Sequence, residues 1–497
     1  MNGIDAPPLR VLFAAAEAVP FVKVGGLADV TGSLPAALSK LPIESLAGRS
    51  LDVRLVIPYH AAISRSWPGL RLEAEFLVHH PQGDIKAQAY RTDSDSVPVY
   101  LISGEPIPKE GTVYSLDTQK DGEKFTFFSL AVLELCVALG WQPDIIHAHD
   151  WHAALSLHML RIRRRTDKFF AATKSMFTVH NLPYMGAGTD KALTAYHIPK
   201  STDRRLPPWG RFQPLPMGLA SADFITAVSP TYSREIMTPE FGCGLETFLQ
   251  ARADSLAGVL NGLDLVVNDP STDPAISQNF TLDRLEKRSE NKLALQKEFG
   301  LDANVNIPLI ILISRFDYQK GIDLAVDALV QLSDGNWQAV LLGSGDPVIE
   351  ATARQLESDL PERVRVAVRY DAALSHRMYA SGDMLLIPSR YEPCGLTQMM
   401  AMRYGCLPVA RATGGLRDTI LDNPGPNLST GFLFEGTTAQ ALAAAIRRAL
   451  AAFEDKTAWL DRQRAALRQD FSWTRSALTY LNLYLGVLER KSRSSRR

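Results

Sequence analysis

Crosslinks, membrane spans and an excess of one charge are what this 497-residue chain lacks. Its four cysteines, Cys136, Cys243, Cys394 and Cys406, lie far apart and match neither a disulfide scaffold nor a zinc-ligand spacing, so a reducing, cytoplasmic setting is expected and no metal is. No uninterrupted apolar run reaches the roughly 18 residues that a bilayer span needs. The apolar start has no basic leader and meets charge at Glu17, so it reads as a first strand rather than a signal peptide, and no membrane partner is expected. Lys plus Arg number 53 against 54 Asp plus Glu, which argues against nucleic acid as a partner. The densest basic run, RIRRRTDK at 161–168, stands alone and reads as a solvated helix end. Internal repeats and low-complexity tracts are missing too. Neither glycine turn has the G-x-G-x-x-G spacing with an acidic residue after the next strand, which disfavours a dinucleotide-dependent dehydrogenase.

What the chain does have is apolar content, 46% of its residues, enough for two cores, since single cores stop growing at roughly 250–300 residues. Buried-looking strands are expected at 9–17, 51–59, 98–103, 143–149, 175–181 and 222–230, with helices opening at 28–41 and running over 122–141. After an Asn-, Asp- and Pro-rich interruption at 258–276 the pattern restarts, with strands at 306–316, 337–345, 363–371, 384–389 and 406–411. Apolar strands alternating with helices imply α/β domains with mostly parallel sheets, and the break implies two of them, 1–262 and 263–470. Ligands of such sheets sit at the carboxyl ends of the strands, so a cleft between the domains is the expected site. Residues 186–216, rich in Pro and Gly, read as the longest loop.

Polar residues cluster at those strand ends. Glu17 follows the first strand, His147, His149, Asp150 and His152 surround the end of another, and His180 with Asn181 ends a third. HAHDWH admits three readings: a metal site, core-capping histidines, or recognition of a polyhydroxyl ligand. Alternation of faces along a strand and the lack of a carboxylate-rich partner count against metal. In the second half, SRFDYQKG puts Arg315 and Lys320 five residues apart after a strand; they are either surface charges or, together with helix-end N–H groups, a diphosphate grip. PSRYEPCGLTQMMAMRYG supplies a strand, a Pro/Gly loop with Glu392, and a helix beginning near Leu396 whose first amides suit a phosphate. TGGLRDT at 413–419 is a glycine turn able to let backbone approach a ligand closely, as is KVGG at 23–26.

The set KVGGLADV, HAHDWHA, TVHN, TAVSPTYSREI, LNGLD, SRFDYQKG, PSRYEPCGLTQMMAMRYG and TGGLRDT, in order from about Leu9 to Tyr484, resembles the bacterial glycogen synthase and plant starch synthase family. That resemblance implies a GT-B glycosyltransferase fold, two Rossmann-like doubly wound domains facing a deep interdomain cleft. Its acceptor side would be 1–262, its nucleotide-sugar donor side 263–470, and 471–497 a C-terminal helix crossing back onto the first domain. The implied reaction moves glucose from ADP-glucose to the non-reducing 4-hydroxyl of an α-1,4-glucan with retention, without a cofactor.

Carried over motif by motif, the resemblance places Lys23 near the sugar diphosphate, Gly25 and Gly26 where backbone meets donor, and Glu17 and Asp29 on the two sides of that loop. His180 would contact the transferred glucose, supported by Asn181, with Asp150 also in the cleft and Asn261 lining it. Arg315 and Lys320 would grip the diphosphate, Glu392 would bind glucose hydroxyls, Tyr370 would lie beside the base, and the amides of Leu396 and Thr397 would meet the distal phosphate. A second acid after Glu392, found in many retaining GT-B enzymes, is absent from CGLTQMMAM, which favours a front-side mechanism with Glu392 as a positioning group. Val24, Asn268 and Ala372 depart from the usual Thr, Trp and Glu, and 105–122 is short. A UDP-glucose-using or sucrose-synthase-like enzyme is the alternative, and a non-catalytic glucan-binding protein is disfavoured by the full set of polar residues.

Overall fold

A computed structural model of the chain describes residues 7–46, 49–422 and 428–490. The chain divides into two compact units, Met1–Gly262 with Trp473–Arg497, and Leu263–Ser472.

The first unit is built on nine strands: β1 (Leu9–Ala14), β2 (Leu51–Pro58), β3 (Arg71–Val78), β4 (Ile85–Ser94), β5 (Val97–Gly104), β6 (Ile145–His149), β7 (Lys174–Val179), β8 (Phe224–Ala227) and β9 (Leu256–Gly258). Their order is β3-β4-β5-β2-β1-β6-β7-β8-β9. Central strands such as LRVLFA and IIHAH are buried along almost their whole length, as strands covered on both faces must be. From β5 to β9 all neighbours pair in parallel, whereas β3 and β4 add an antiparallel edge that the sequence expectation does not contain. Three helices matter for the site: α1 (Gly26–Ser39), α2 (Thr118–Ala138) and α3 (Asp150–Arg163). Residues 186–216 are not one loop. They contain the helix Asp190–Ala195 and a tight turn at Trp209–Phe212, and then lead into a helix, Pro214–Ser221, that starts with proline at its first position, where no amide is needed.

The C-terminal helix Trp473–Glu489 belongs to this same unit. It buries Ala477, Tyr480, Leu481, Tyr484 and Val487 in the core that also holds Val30, Leu34 and Leu38 of α1. Gly262 permits its approach, because a Cβ there would overlap the Trp473 indole.

The second unit carries six parallel strands, β10 (Leu309–Ile313), β11 (Gln338–Gly343), β12 (Val364–Val368), β13 (Met384–Ile387), β14 (Leu407–Arg411) and β15 (Phe432–Phe434). They run in the order β12-β11-β10-β13-β14-β15. In each unit the chain builds outward from one strand and then returns to its other side. The reversal falls between β1 and β6 in the first sheet and between β10 and β13 in the second. Such switch points open a crevice at the strands' carboxyl ends.

Candidate active site

In the first unit the residues after β1, β6 and β7 meet at the switch point. Glu17 is 2% exposed and acts as an anchor. One carboxylate oxygen accepts from the amides of Val24 and of Gly25, the latter at 3.3 Å, while the other accepts the Tyr114 hydroxyl at 3.1 Å. Burial raises its pKa despite those bonds. Glu17 thus shapes the KVGG loop from beneath. Above it, Lys23 Nζ pairs with Asp29 Oδ1 at 2.8 Å across the start of α1. The Val24 side chain is 56% exposed, so in this unit only its amide is used. Gly25 sits at φ −139°, a backbone conformation open to any residue, and a Cβ on it would make only ordinary contacts.

Asp150 opens α3 with a positive φ of 54°. That turn sends its carboxylate across to the end of β7, where Oδ1 accepts from the amides of His180 at 2.7 Å and Asn181 at 3.4 Å. Burial pushes its pKa up to about 7. The carboxylate therefore works as a strut for the His180–Asn181 backbone. His180 is partly exposed, and the desolvation of its surroundings takes its imidazole down to about 3. Its Nε2 lies 2.9 Å from His149 Nδ1.

Of the readings of HAHDWH, the core role holds for His147, whose ring nitrogens engage the Tyr484 hydroxyl at 2.8 Å and Thr178 Oγ1 at 2.6 Å. His152 packs edge-on against Phe125 and alongside Trp151. Among the described residues no group of three His, Cys, Asp or Glu stands ready to hold a metal ion. Asn181 and Asn261 each carry a buried side-chain oxygen without a protein partner among the described residues.

In the second unit, loops after β10 and β13 enclose a cavity of about 140 Å³ lined by Arg315, Lys320, Ser389, Glu392 and Thr397 with apolar strand ends. Lys320 Nζ meets Glu392 Oε2 at 2.6 Å, and the Ser389 hydroxyl donates to the same oxygen at 2.9 Å. Arg315 is held on the other side by Asp317 at 3.0 Å, and the Asp317 side chain also caps the Lys320 turn, accepting its amide at 2.9 Å. Arg390 forks onto Asp323 at 2.9 and 2.6 Å and lies 3.6 Å over the Tyr318 ring, which ties the Glu392 loop to the Lys320 turn.

Leu396 caps the helix Thr397–Arg403, whose first amides have no partner within the helix by geometry. Tyr370, 84% exposed beyond β12, is not among the residues lining this cavity. The TGGLRDT glycines make a close approach, but to protein rather than to a ligand. Gly414 has φ +45° against the Glu392 carbonyl, and Gly415 donates to that carbonyl at 3.1 Å, so this turn fixes the Glu392 loop. Asn268 is buried and donates to the Asp264 carbonyl at 2.9 Å inside its own turn.

Three contributors escape a reading of the sequence. Tyr114 lies 97 positions from Glu17 in an irregular stretch. Ser389 stands within the PSRYEP motif, but nothing in that wording marks it as a partner of Glu392. The His149–His180 contact arises only because β6 and β7 pair with His149 opposite Thr178.

Two mostly parallel α/β units with polar groups gathered at the strand ends of each switch point are the architecture of the GT-B glycosyltransferase class, and the likenesses to known proteins bear this out. Residues 10–251 match the starch synthase catalytic domain family and residues 296–464 the glycosyl transferases group 1 family. A glycogen synthase from Geotalea daltonii is 38% identical over 98% of this chain and 100% of its own, and one from Anaeromyxobacter dehalogenans is 39% identical over 96% and 99%. The chain belongs to the glycogen synthase family. Among solved structures, the catalytic domain of starch synthase IV from Arabidopsis thaliana, bound to ADP and acarbose, superposes with a TM-score of 0.85 at 32% identity, over 97% of this chain and 100% of its own. A sucrose-phosphate synthase from Thermosynechococcus elongatus, at 20% identity and a TM-score of 0.59, shares the fold.

Proposed function

We propose that the protein transfers glucose from ADP-glucose to the non-reducing 4-hydroxyl of an α-1,4-glucan, retaining the anomeric configuration. The observation that carries this reading is the second unit's cavity, where two cations, a carboxylate and a helix start converge after β10 and β13. Arg315, Lys320 and the amides at Leu396 and Thr397 would stabilise the diphosphate as negative charge grows on it. Glu392 already spends Oε2 on Lys320 and Ser389, which leaves Oε1 to receive sugar hydroxyls. In the front-side step the C1–diphosphate bond breaks, the C1–O4 bond forms, and the O4 proton passes to the leaving diphosphate. No cofactor is required by that balance.

The first unit would supply Lys23, His180 and Asn181 to the sugar and the glucan side. Gly25 fits this reading, because nothing within its own unit demands glycine there, and a ligand pressing on the loop would. Tyr370 would lie against the base. Four free cysteines support a cytoplasmic setting. The ADP preference is supported by the bound ADP of the starch synthase IV structure. It is tested by comparing initial rates on glycogen with ADP-glucose and UDP-glucose. A clear preference for ADP-glucose is expected, and equal or higher rates with UDP-glucose would overturn the donor assignment.

A further inference from the structure

The imidazole of His180 does not stand alone. Its Nε2 is 2.9 Å from Nδ1 of His149, a fully buried ring packed against Phe13, with centroids 5.4 Å apart, and against His147, with centroids 4.2 Å apart. Burial lowers the pKa of both rings, so the pair is neutral and one N–H bridges the two nitrogens. Two arrangements are possible. Either His149 donates from Nδ1, or His180 donates from Nε2.

The far side of His149 separates them. Its Nε2 is buried and has no hydrogen-bond partner among the described residues. If His180 were the donor, His149 would carry its own proton on Nε2 and bury an N–H that no acceptor meets. If His149 donates, that nitrogen is bare among packed rings. Orphaned buried N–H groups are rarer in proteins than under-satisfied acceptors, which outweighs the small intrinsic preference of free imidazole for the Nε2–H form.

We propose that His149 is a positioning residue that fixes His180 as the Nδ1–H tautomer, so that His180 offers the sugar a neutral hydrogen-bond donor and not a base. Nδ1 is the nitrogen left for a ligand, since Nε2 is committed to His149. His147 holds the assembly from behind through Tyr484 of the C-terminal helix and Thr178 of β7. Asp150 fixes the backbone from which the His180 ring projects. The role of this donor in transfer rests on the function proposed above; the tautomer itself does not.

The test uses the full chain labelled with ¹⁵N-histidine and long-range ¹H–¹⁵N correlation near neutral pH, with His180 identified by loss of its signals in His180→Asn. A protonated-type Nδ1 and a bare-type Nε2 for His180 are expected, and the reverse pattern overturns the proposal. In parallel, His149→Phe is expected to lower kcat at least about 10-fold with little change in the KM for ADP-glucose, and His149→Asn, whose amide nitrogen stands near the former Nδ1, to recover much of the loss. A folded His149→Phe with wild-type kcat would remove the positioning role. An inactive wild-type enzyme would instead refute the functional reading, while the spectrum would still report the tautomer.

Discussion

Lys320 and Glu392 meet at 2.6 Å with Glu392 only 7% exposed, so removal of either leaves a charge without its counter-ion as well as a lost ligand contact. Glu392→Ala and Lys320→Ala are each expected to reduce transfer at saturating donor by at least about 100-fold, the scale of losing one preorganised charge-stabilising group. Turnover near that of the wild type in steady-state assays would take the residue out of its assigned role. Both residues are legible in the sequence as polar groups following buried strands. Their contact with each other is not, because they stand 72 positions apart and it is the β10–β13 adjacency that brings their two loops side by side. The same holds for Glu17. Its position is visible in the sequence, yet its work as an anchor for two amides and a tyrosine depends on a loop conformation that composition does not encode.

At the scale of elements, the Lys320 turn is seated by one glycine. Gly321 has φ +67° and faces the Pro388 carbonyl so closely that a Cβ would collide with it. Gly321→Ala is therefore expected to destabilise the second unit by about 1–3 kcal/mol from backbone strain alone, and to depress transfer by separating the Lys320 and Glu392 loops. Denaturant titration checks the first effect, and an unchanged midpoint would contradict the close approach. The largely buried strands β1, β2, β5, β6, β7, β8, β10, β11, β13 and β14 are readable as short apolar runs, and so is the partly buried edge strand β12. The β3–β4 edge is not, because RLEAEFLV and IKAQAYRTDS are half exposed and charged, held by pairing of β3 to β4 and of β4 to β5 rather than by their own apolar content. β9 and β15, three residues each, are too short to carry a pattern.

Across the whole molecule, the histidines are distributed unevenly. His376 is alone in the second unit, and the other nine lie in the first. Burial lowers His60 to about 4 and His180 to about 3, and also depresses His147, His149, His152 and His158. An unfolded histidine binds its proton near pH 6.5, so below that pH the unfolded state holds more protons than the folded one. Each such ring then removes up to about 1.4 kcal/mol of stability per pH unit until its folded pKa is reached. Asp150, Glu17 and Glu134, with raised pKa values, act in the opposite direction, but they are three groups against six. In the second unit, Asp273, Asp323 and Asp371 have lowered pKa values and lose their contribution only below about pH 4. Hydrogen exchange at stepwise lower pH should show the first unit losing protection before the second. Simultaneous loss, or the reverse order, would contradict this.

Retaining glucosyl transfer onto a glucan end is read out by incubating the protein with ADP-[¹⁴C]glucose and glycogen and then digesting the product with β-amylase. Label should enter the polymer and be released as maltose, the mark of α-1,4 growth at non-reducing ends. Label recovered only as free glucose, or none in the polymer at all, would rule out retaining transfer to a glucan end.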